Sequence, residues 1–287
     1  MSDNLPAPLS LLTSAQQNNI INIVRRAARA EIMPRFRRLD AGDIQEKSGT
    51  DDLVTQADTA AEVMITRALQ IAFPSALVIG EEAVTSDPSL LDGIADAPLA
   101  FHIDPVDGTW NFAHHLAVFG VIIAATQYGK PIFGLIYDPV ADDWAIANSD
   151  GAAELHRPFG TPKPLKAAMG KPLDQLSGFV PLNLFDRNKR ASVAATLPGF
   201  ARVTSLRCSA HQYRMIAQGY FDFLITESLH PWDHAAGALI CARAGCHVEM
   251  LGGGEYSAAL RDGFLMVAPD KTTWNRLAKV YAFLLVE

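Results

Sequence analysis

The chain has 287 residues, 49% of them hydrophobic and 19% charged, which is material for one large domain or two small lobes and argues against disorder. Its formal net charge of −7, with only scattered basic residues, argues against a nucleic-acid binder, and an acidic protein that handles phosphate would need metal ions to reverse the local field. The three cysteines, Cys208, Cys241 and Cys246, form no C-x-x-C pair, which excludes a disulfide framework and fits a reducing cytoplasm. The N-terminus lacks a basic signal-peptide region and no apolar run of about 20 residues occurs, so a cytoplasmic protein without a membrane span is expected.

Residues 14–33 read as an amphipathic helix. Ile20, Ile23, Val24, Ala27, Ala28 and Ile32 recur at helical spacing, and Pro34 ends the run. Arg35-Phe36-Arg37-Arg38, the densest basic cluster, reads as a solvated helix end. Residues 42–52 are polar and rich in turn formers, so a loop is predicted there. A second helix is predicted from Gln56 to Ala72, with Thr55 as N-cap, Asp58 in the capping-box position and Pro74 closing it. Leu77-Val78-Ile79 reads as a short buried strand ending at Gly80-Glu81-Glu82, and residues 99–103 as another that runs into Asp104. Residues 118–127 and 132–137 form a hairpin signature around Gly129-Lys130, and 144–147 adds a third antiparallel strand.

After about residue 150, helices at 188–197, 209–219, 233–244 and 271–284 alternate with short strands near 178–180, 202–205, 222–226, 246–250 and 264–268. That alternation predicts layers of helix and sheet. The Pro- and Gly-bearing stretch from Gly151 to Gly170 is the predicted boundary between an N-terminal lobe (1–150) and a C-terminal lobe (151–287) of one catalytic unit.

The chemistry concentrates in carboxylates at the ends of apolar strands. Asp104 and Asp107 lie three apart around Pro105, and Gly108 permits a conformation closed to other residues. Such a transition can aim both carboxylates and the Val106 carbonyl at one point, and hard oxygen ligands suit Mg²⁺. Glu81-Glu82 also follows a buried strand, and Asp233 opens an apolar helix. Each has a purely structural alternative: an Asx-type turn at 104–107, a solvated turn at Glu81, an N-cap at Asp233. Four such coincidences favour a site. Gathered carboxylates repel one another, and divalent cations remove that penalty. The Thr109 hydroxyl could accept a hydrogen bond from a water or donate one to a phosphate oxygen, and Asp58 could accept the water's proton; a local cap is the alternative for both.

Four blocks carry a family resemblance: 52–58 (Asp-Leu-Val-Thr-Gln-Ala-Asp), Gly80-Glu81-Glu82, 104–112 (Asp-Pro-Val-Asp-Gly-Thr-Trp-Asn-Phe) and 232–237 (Trp-Asp-His-Ala-Ala-Gly). In order and spacing they resemble the inositol monophosphatase family of the lithium-sensitive, magnesium-dependent phosphatase superfamily. The resemblance implies a layered αβαβα sandwich of α+β or α/β type and up to three Mg²⁺ per subunit. Glu81, Asp104 and the Val106 carbonyl would hold the first ion, Asp104, Asp107 and Asp233 the second, and Glu81 with water the third. Asp58 and Thr109, with Glu81, would serve catalysis by orienting the attacking water, for in-line attack without a phosphoenzyme. Gly108 and Thr109 would supply N–H groups to phosphate, and Lys47 matches a loop lysine near the site. Asp107, Ser209, Ala210, Glu227 and Asp233 would face the substrate. A homodimer and lithium inhibition are implied as well.

The departures lie on the alcohol side. Cys208-Ser209-Ala210, after Arg207, stands where the family has Gly-Ser/Thr-Ala. Trp110 replaces a smaller residue, Glu227 to Asp233 is one residue short, and Arg243-Ala244-Gly245-Cys246 replaces Glu-Ala-Gly-Gly. The expected substrate is inositol monophosphate or a related polyol phosphate. Fructose 1,6-bisphosphate, 3′-phosphoadenosine phosphates and histidinol phosphate are the alternatives, and a catalytically idle metal- or partner-binding member is the rival of another class. A haloacid-dehalogenase-type phosphatase would need its two aspartates two residues apart, near the N-terminus. His102, His114, His115, His211, His230 and His234 lack the spacing of a helical zinc site and read as structural or substrate-facing.

Overall fold

The computed structural model describes residues 11–49 and 52–286. Helix α1 (Ser14–Ala27) starts at a capping box in which the Gln16 N–H donates to the Thr13 hydroxyl and the Thr13 N–H to the Gln16 side chain. It buries Ile20, Ile21, Ile23, Val24 and Ala27, and a single π-helical turn (Ala28–Ile32) extends it towards Pro34. The stretch predicted as a loop is instead largely an antiparallel ribbon, β1 (Ile44–Gly49) with β2 (Asp52–Thr55). A ribbon outside the core needs only its backbone ladder, so polar side chains do not forbid it. Helix α2 (Gln56–Ala72) begins at the predicted Thr55–Asp58 capping box.

Next come β3 (Leu77–Gly80), α3 (Glu81–Ser86), β4 (Ala100–Asp107), α4 (Thr109–Ala113), β5 (Gly120–Gln127), β6 (Lys130–Asp138) and β7 (Asp143–Asn148). Two short strands inside the Gly151–Gly170 stretch, β8 (Glu154–His156) and β9 (Lys163–Pro164), extend the same sheet. Its seven strands lie in sequence order, β3 and β4 parallel and the rest antiparallel. A second sheet holds β10 (Ser177–Phe179), β11 (Arg202–Thr204), β12 (Phe223–Thr226), β13 (His247–Met250) and β14 (Leu265–Ala268), in the order β11-β10-β12-β14-β13. The remaining helices are α5 (Arg190–Thr196), α6 (Ser209–Ala217), α7 (Pro231–Arg243) and α8 (Lys271–Val280).

Alternation along the strands builds the layers. On β5, Val121, Ile123 and Ala125 pack with the apolar stripes of α1 and α2, while Ile122 and Ala124 face α6 and α7. On the second sheet, Leu224, Leu265 and Val267 face the same two helices from the other side, and Phe223, Ile225, Met266 and Ala268 face Val193 of α5 and Trp274 and Leu277 of α8. The order is helix, sheet, helix, sheet, helix: the αβαβα sandwich that the resemblance implied. Each fully buried large aliphatic side chain contributes about 1.5–3 kcal/mol. Helix α7 lies on the first sheet at backbone contact, so the N-terminal end of a C-terminal helix reaches the ends of the N-terminal strands. Among the described residues no helix is long and apolar enough to cross a membrane.

Candidate metal and catalytic centre

Residues three apart on a regular strand face opposite sides of the sheet. Asp104 pairs with Ile122, but Asp107 pairs with Gly120, so the register shifts between them. This bulge lies inside β4, at the place where the sequence predicted a turn, and it breaks the alternation. Both carboxylates can then turn to one point. The turn itself falls at Gly108, with φ of +90° and a Cβ position only 2.9 Å from the Val118 carbonyl, so only glycine fits.

Asp233 reaches the same point from the first turn of α7. It is the third helical residue, after Pro231, so the N-cap alternative is not the arrangement found. One ligand oxygen each from Asp104, Asp107 and Asp233 lies within 4.8 Å of the others. The α7 N-terminus also favours negative charge there.

Glu81 opens α3 at the end of β3. Lys47, on β1, sits 2.8 Å from one Glu81 oxygen and 2.7 Å from one Glu82 oxygen. Glu62 accepts the Glu82 and Ala83 N–H groups, each at 2.9 Å, and so caps α3 and fixes where Glu81 stands. A Cβ on Gly80 would fall 2.2 Å from the Glu62 carboxyl carbon. Glu62 did not emerge from the sequence. The available signal was its place one turn after Asp58, on the α2 face that buries Ala61 and Ile65.

Asp58 serves two purposes at once. One oxygen accepts from the Thr55 N–H at 2.9 Å and from the Thr55 hydroxyl; the other is 3.0 Å from the Thr109 hydroxyl. Thr109 Oγ1 is also 3.0 Å from the Val106 carbonyl. A hydroxyl has one proton, so with that proton held by Asp58 or Val106 its lone pairs remain to accept one from water.

Asp107 is held from the start of α6 by N–H groups of Ser209 (3.0 Å) and Ala210 and by the Cys208 thiol (2.9 Å). The Ser209 and Ala210 amides, expected to line substrate, therefore orient a carboxylate. Glu227 accepts the Asp186 N–H at 2.8 Å and pairs with Lys189. Neither Lys189 nor the thiol contact was evident in the sequence, because each pairs residues far apart in the chain. His102 pairs with Thr126 and His234 with the Tyr213 hydroxyl, each at 2.9 Å, and burial lowers them to about 3 and about 4, so both rings are neutral.

Burial and crowding set the electrostatics. Asp104 is pushed well above the usual carboxylate range by burial and by the charges of Glu81, Asp107 and Asp233. Burial and Asp233 push Asp107 up to about 7, against its three hydrogen bonds. Burial raises Asp58 to about 6. Burial is the largest influence on Asp233 and opposes its charge, but hydrogen bonds from His230 and Asp104 and the neighbouring histidines together outweigh it and draw the group below its ordinary value. Buried, hard, oxygen-rich and negative, this donor set fits a divalent cation such as Mg²⁺.

A pH dependence follows. Carboxyls with raised values favour the proton-bound fold, so in the metal-free protein their contribution is full below the ordinary value of 3.8 and is lost as pH rises through about 6 to about 7. Metal must displace those protons. From about pH 5 to about pH 8, the melting temperature without metal is expected to fall relative to an Asp107→Asn variant, and the rise caused by Mg²⁺ to grow. A Mg²⁺ effect independent of pH would count against the cluster as ligand.

Known proteins resemble the chain in sequence and in fold. A model of the inositol monophosphatase family matches residues 14–282. The chain is 34% identical over 224 residues to inositol monophosphatase 2 of Solanum lycopersicum, spanning 75% of this chain and 81% of that one. It is 32% identical over 242 residues to the Nus factor SuhB of Pseudomonas aeruginosa, spanning 79% and 83%. The fold matches a Thermotoga maritima IMPase with a TM-score of 0.77 over 94% of this chain and 98% of that one, at 22% identity. By sequence and by fold, the chain belongs to the inositol monophosphatase family.

Proposed function

We propose that the chain is a Mg²⁺-dependent phosphatase of small phosphate monoesters, with inositol monophosphate or a related polyol phosphate as the substrate class. The observation that carries this is the convergence of Asp104, Asp107 and Asp233 beside the Asp58–Thr109 pair. Asp104, Asp107, Asp233, Glu81 and the Val106 carbonyl would hold the metal, up to three ions. Mg²⁺ bound there would supply an acidified water and neutralise charge on the phosphoryl group and leaving oxygen. The chain's own residues do the rest. Thr109, its proton held by Asp58, accepts a hydrogen bond from the attacking water and so aims it. Asp58, hydrogen-bonded to the Thr109 hydroxyl, is placed to take up the proton that Thr109 passes on. Gly108 and Thr109 at the turn present backbone N–H groups to phosphate oxygens. Lys47 balances Glu81 and Glu82 at the edge of the cluster.

The SuhB relative raises a reading in which the chain acts through a partner without catalysis. The Thr109–Asp58 contact, which a purely structural cluster does not need, favours the enzyme. The test is phosphate release, with Mg²⁺ and with chelator, from a panel of polyol, sugar, nucleotide and amino-alcohol phosphates. Release that requires Mg²⁺ is expected. No release from any ester would overturn the proposal.

A further inference from the structure

Glu62 is a buried carboxylate outside the cluster of Asp104, Asp107 and Asp233. It is 6% exposed, and a charge buried that far is costly unless hydrogen bonds meet it. Burial raises its proton affinity, and the Glu82 and Ala83 amides oppose that rise. Oε2 accepts from the Glu82 N–H and Oε1 from the Ala83 N–H, each at 2.9 Å. A carboxylate accepts at both ends, whereas a glutamine amide accepts at one end and donates at the other. Two converging N–H groups therefore suit glutamate and not its amide.

Gly80 leaves room for this side chain. Its φ of −105° is open to any residue, so the glycine is there for space and not for conformation. A Cβ on Gly80 would fall 2.2 Å from the Glu62 carboxyl carbon and 2.3 and 2.5 Å from its two oxygens. Glycine and carboxylate fit each other, and the residue after that glycine is Glu81.

Glu81 needs such support. Strand β3, which leads into it, has four residues and lies at the edge of its sheet, with β4 as its one neighbour among the described residues. The ladder to β4 holds the chain before Glu81, and Glu62 holds the two amides that come after it. One turn earlier on the same helix, Asp58 lies 3.0 Å from the Thr109 hydroxyl. A single helix, α2, thus fixes both Glu81 and the Asp58–Thr109 pair.

We propose that Glu62 is a positioning residue. By holding the amides after Glu81, it sets where Glu81 meets its metal ion relative to the water aimed by Asp58 and Thr109. It thereby controls the affinity for that ion while touching neither ion nor substrate. This rests on the phosphatase reading above and deepens it.

The test is calorimetric titration with Mn²⁺, a stand-in for Mg²⁺, of the wild type, Glu62→Gln, Glu62→Asp and Gly80→Ala. It is set beside kcat and KM for an ester that the wild type hydrolyses. Glu62→Gln is expected to weaken one class of Mn²⁺ by about tenfold, the usual cost of removing a group that orients a ligand. The class held by Asp104, Asp107 and Asp233 is expected to persist, and kcat to fall with KM little changed. Gly80→Ala drives the Glu62 carboxyl from its place but keeps its charge, and is expected to reproduce the loss. The double variant Glu62→Gln/Gly80→Ala is then expected to lose little more than either single one. Glu62→Asp keeps both acceptors on a shorter arm and is expected to fall between wild type and Glu62→Gln. If Glu62→Gln does not fold, Gly80→Ala and Glu62→Asp decide. Three outcomes would overturn the inference alone: Mn²⁺ affinity unchanged while stability falls, equal weakening of every class of ion, or additive losses in the double variant. A wild type that hydrolyses no ester overturns the phosphatase reading, and the Mn²⁺ titrations still judge the role of Glu62 at Glu81 separately.

Discussion

Asp104→Asn is expected to make the metal-free protein more stable and the enzyme at least about 10²-fold slower in kcat/KM. The two effects share one cause. Asp104 is 2% exposed, and burial and four neighbouring carboxylates push its proton affinity well above the usual range. An asparagine removes one charge from that crowd. Its oxygen can keep the bond from the Val106 N–H, now 3.0 Å to Asp104 Oδ1, and its amide can donate to Asp233, which already takes a hydrogen bond from Asp104. Proton affinity above the usual range means that the charged form is strained by the fold, so removing the charge is expected to raise the metal-free melting temperature. With Mg²⁺ the ordering should reverse, because the variant has lost a ligand and gains less from the ion. Thermal melts with and without Mg²⁺, beside kcat/KM, check this. A variant that is destabilised without metal yet fully active would show that Asp104 is a structural residue.

Gly134→Ala is expected to cost about 2–3 kcal/mol of stability and to lower activity beyond that loss. A Cβ there would lie 2.8 Å from the Ala236 carbonyl oxygen and 2.9 Å from its Cα. Both are backbone atoms of α7, so no rotamer change relieves the clash, and the helix must move away from β6. Asp233 is at the end of that helix, so its distance to Asp104 and Asp107 changes too. Gly151, with nothing within 4 Å of its Cβ position, is the control: Gly151→Ala should be near neutral. Urea unfolding and Mg²⁺ titration of both variants test the point. Equal behaviour of the two would contradict the close seating of α7.

The fold was legible where burial imposes a period. Helices α1 and α2 and the β5–β6–β7 meander declare themselves through Ile20 to Ile32, through Ala57 to Leu69, and through the β-branched runs of 120–148. The ribbon β1–β2 did not, because Leu53 and Thr55, the buried residues of its short second strand, are too few to set a visible period. β8 and β9 were hidden by shortness and by proline. At the site, the acidic residues were legible as carboxylates ending apolar strands, and the family resemblance assigned their roles. The bulge that brings Asp104 and Asp107 to one side was not, since nothing in Asp-Pro-Val-Asp states which residue slips. Nor were contacts such as Cys208 to Asp107, which span 101 residues and exist only once the chain has folded.

The most direct measurement is anomalous diffraction from crystals equilibrated with Mn²⁺ as a stand-in for Mg²⁺. The account predicts a strong peak among the carboxylates of Asp104, Asp107 and Asp233 in the wild type, and its loss in Asp233→Asn. A wild-type protein that hydrolyses phosphate esters with no peak there, or with its metal bound elsewhere, would contradict it.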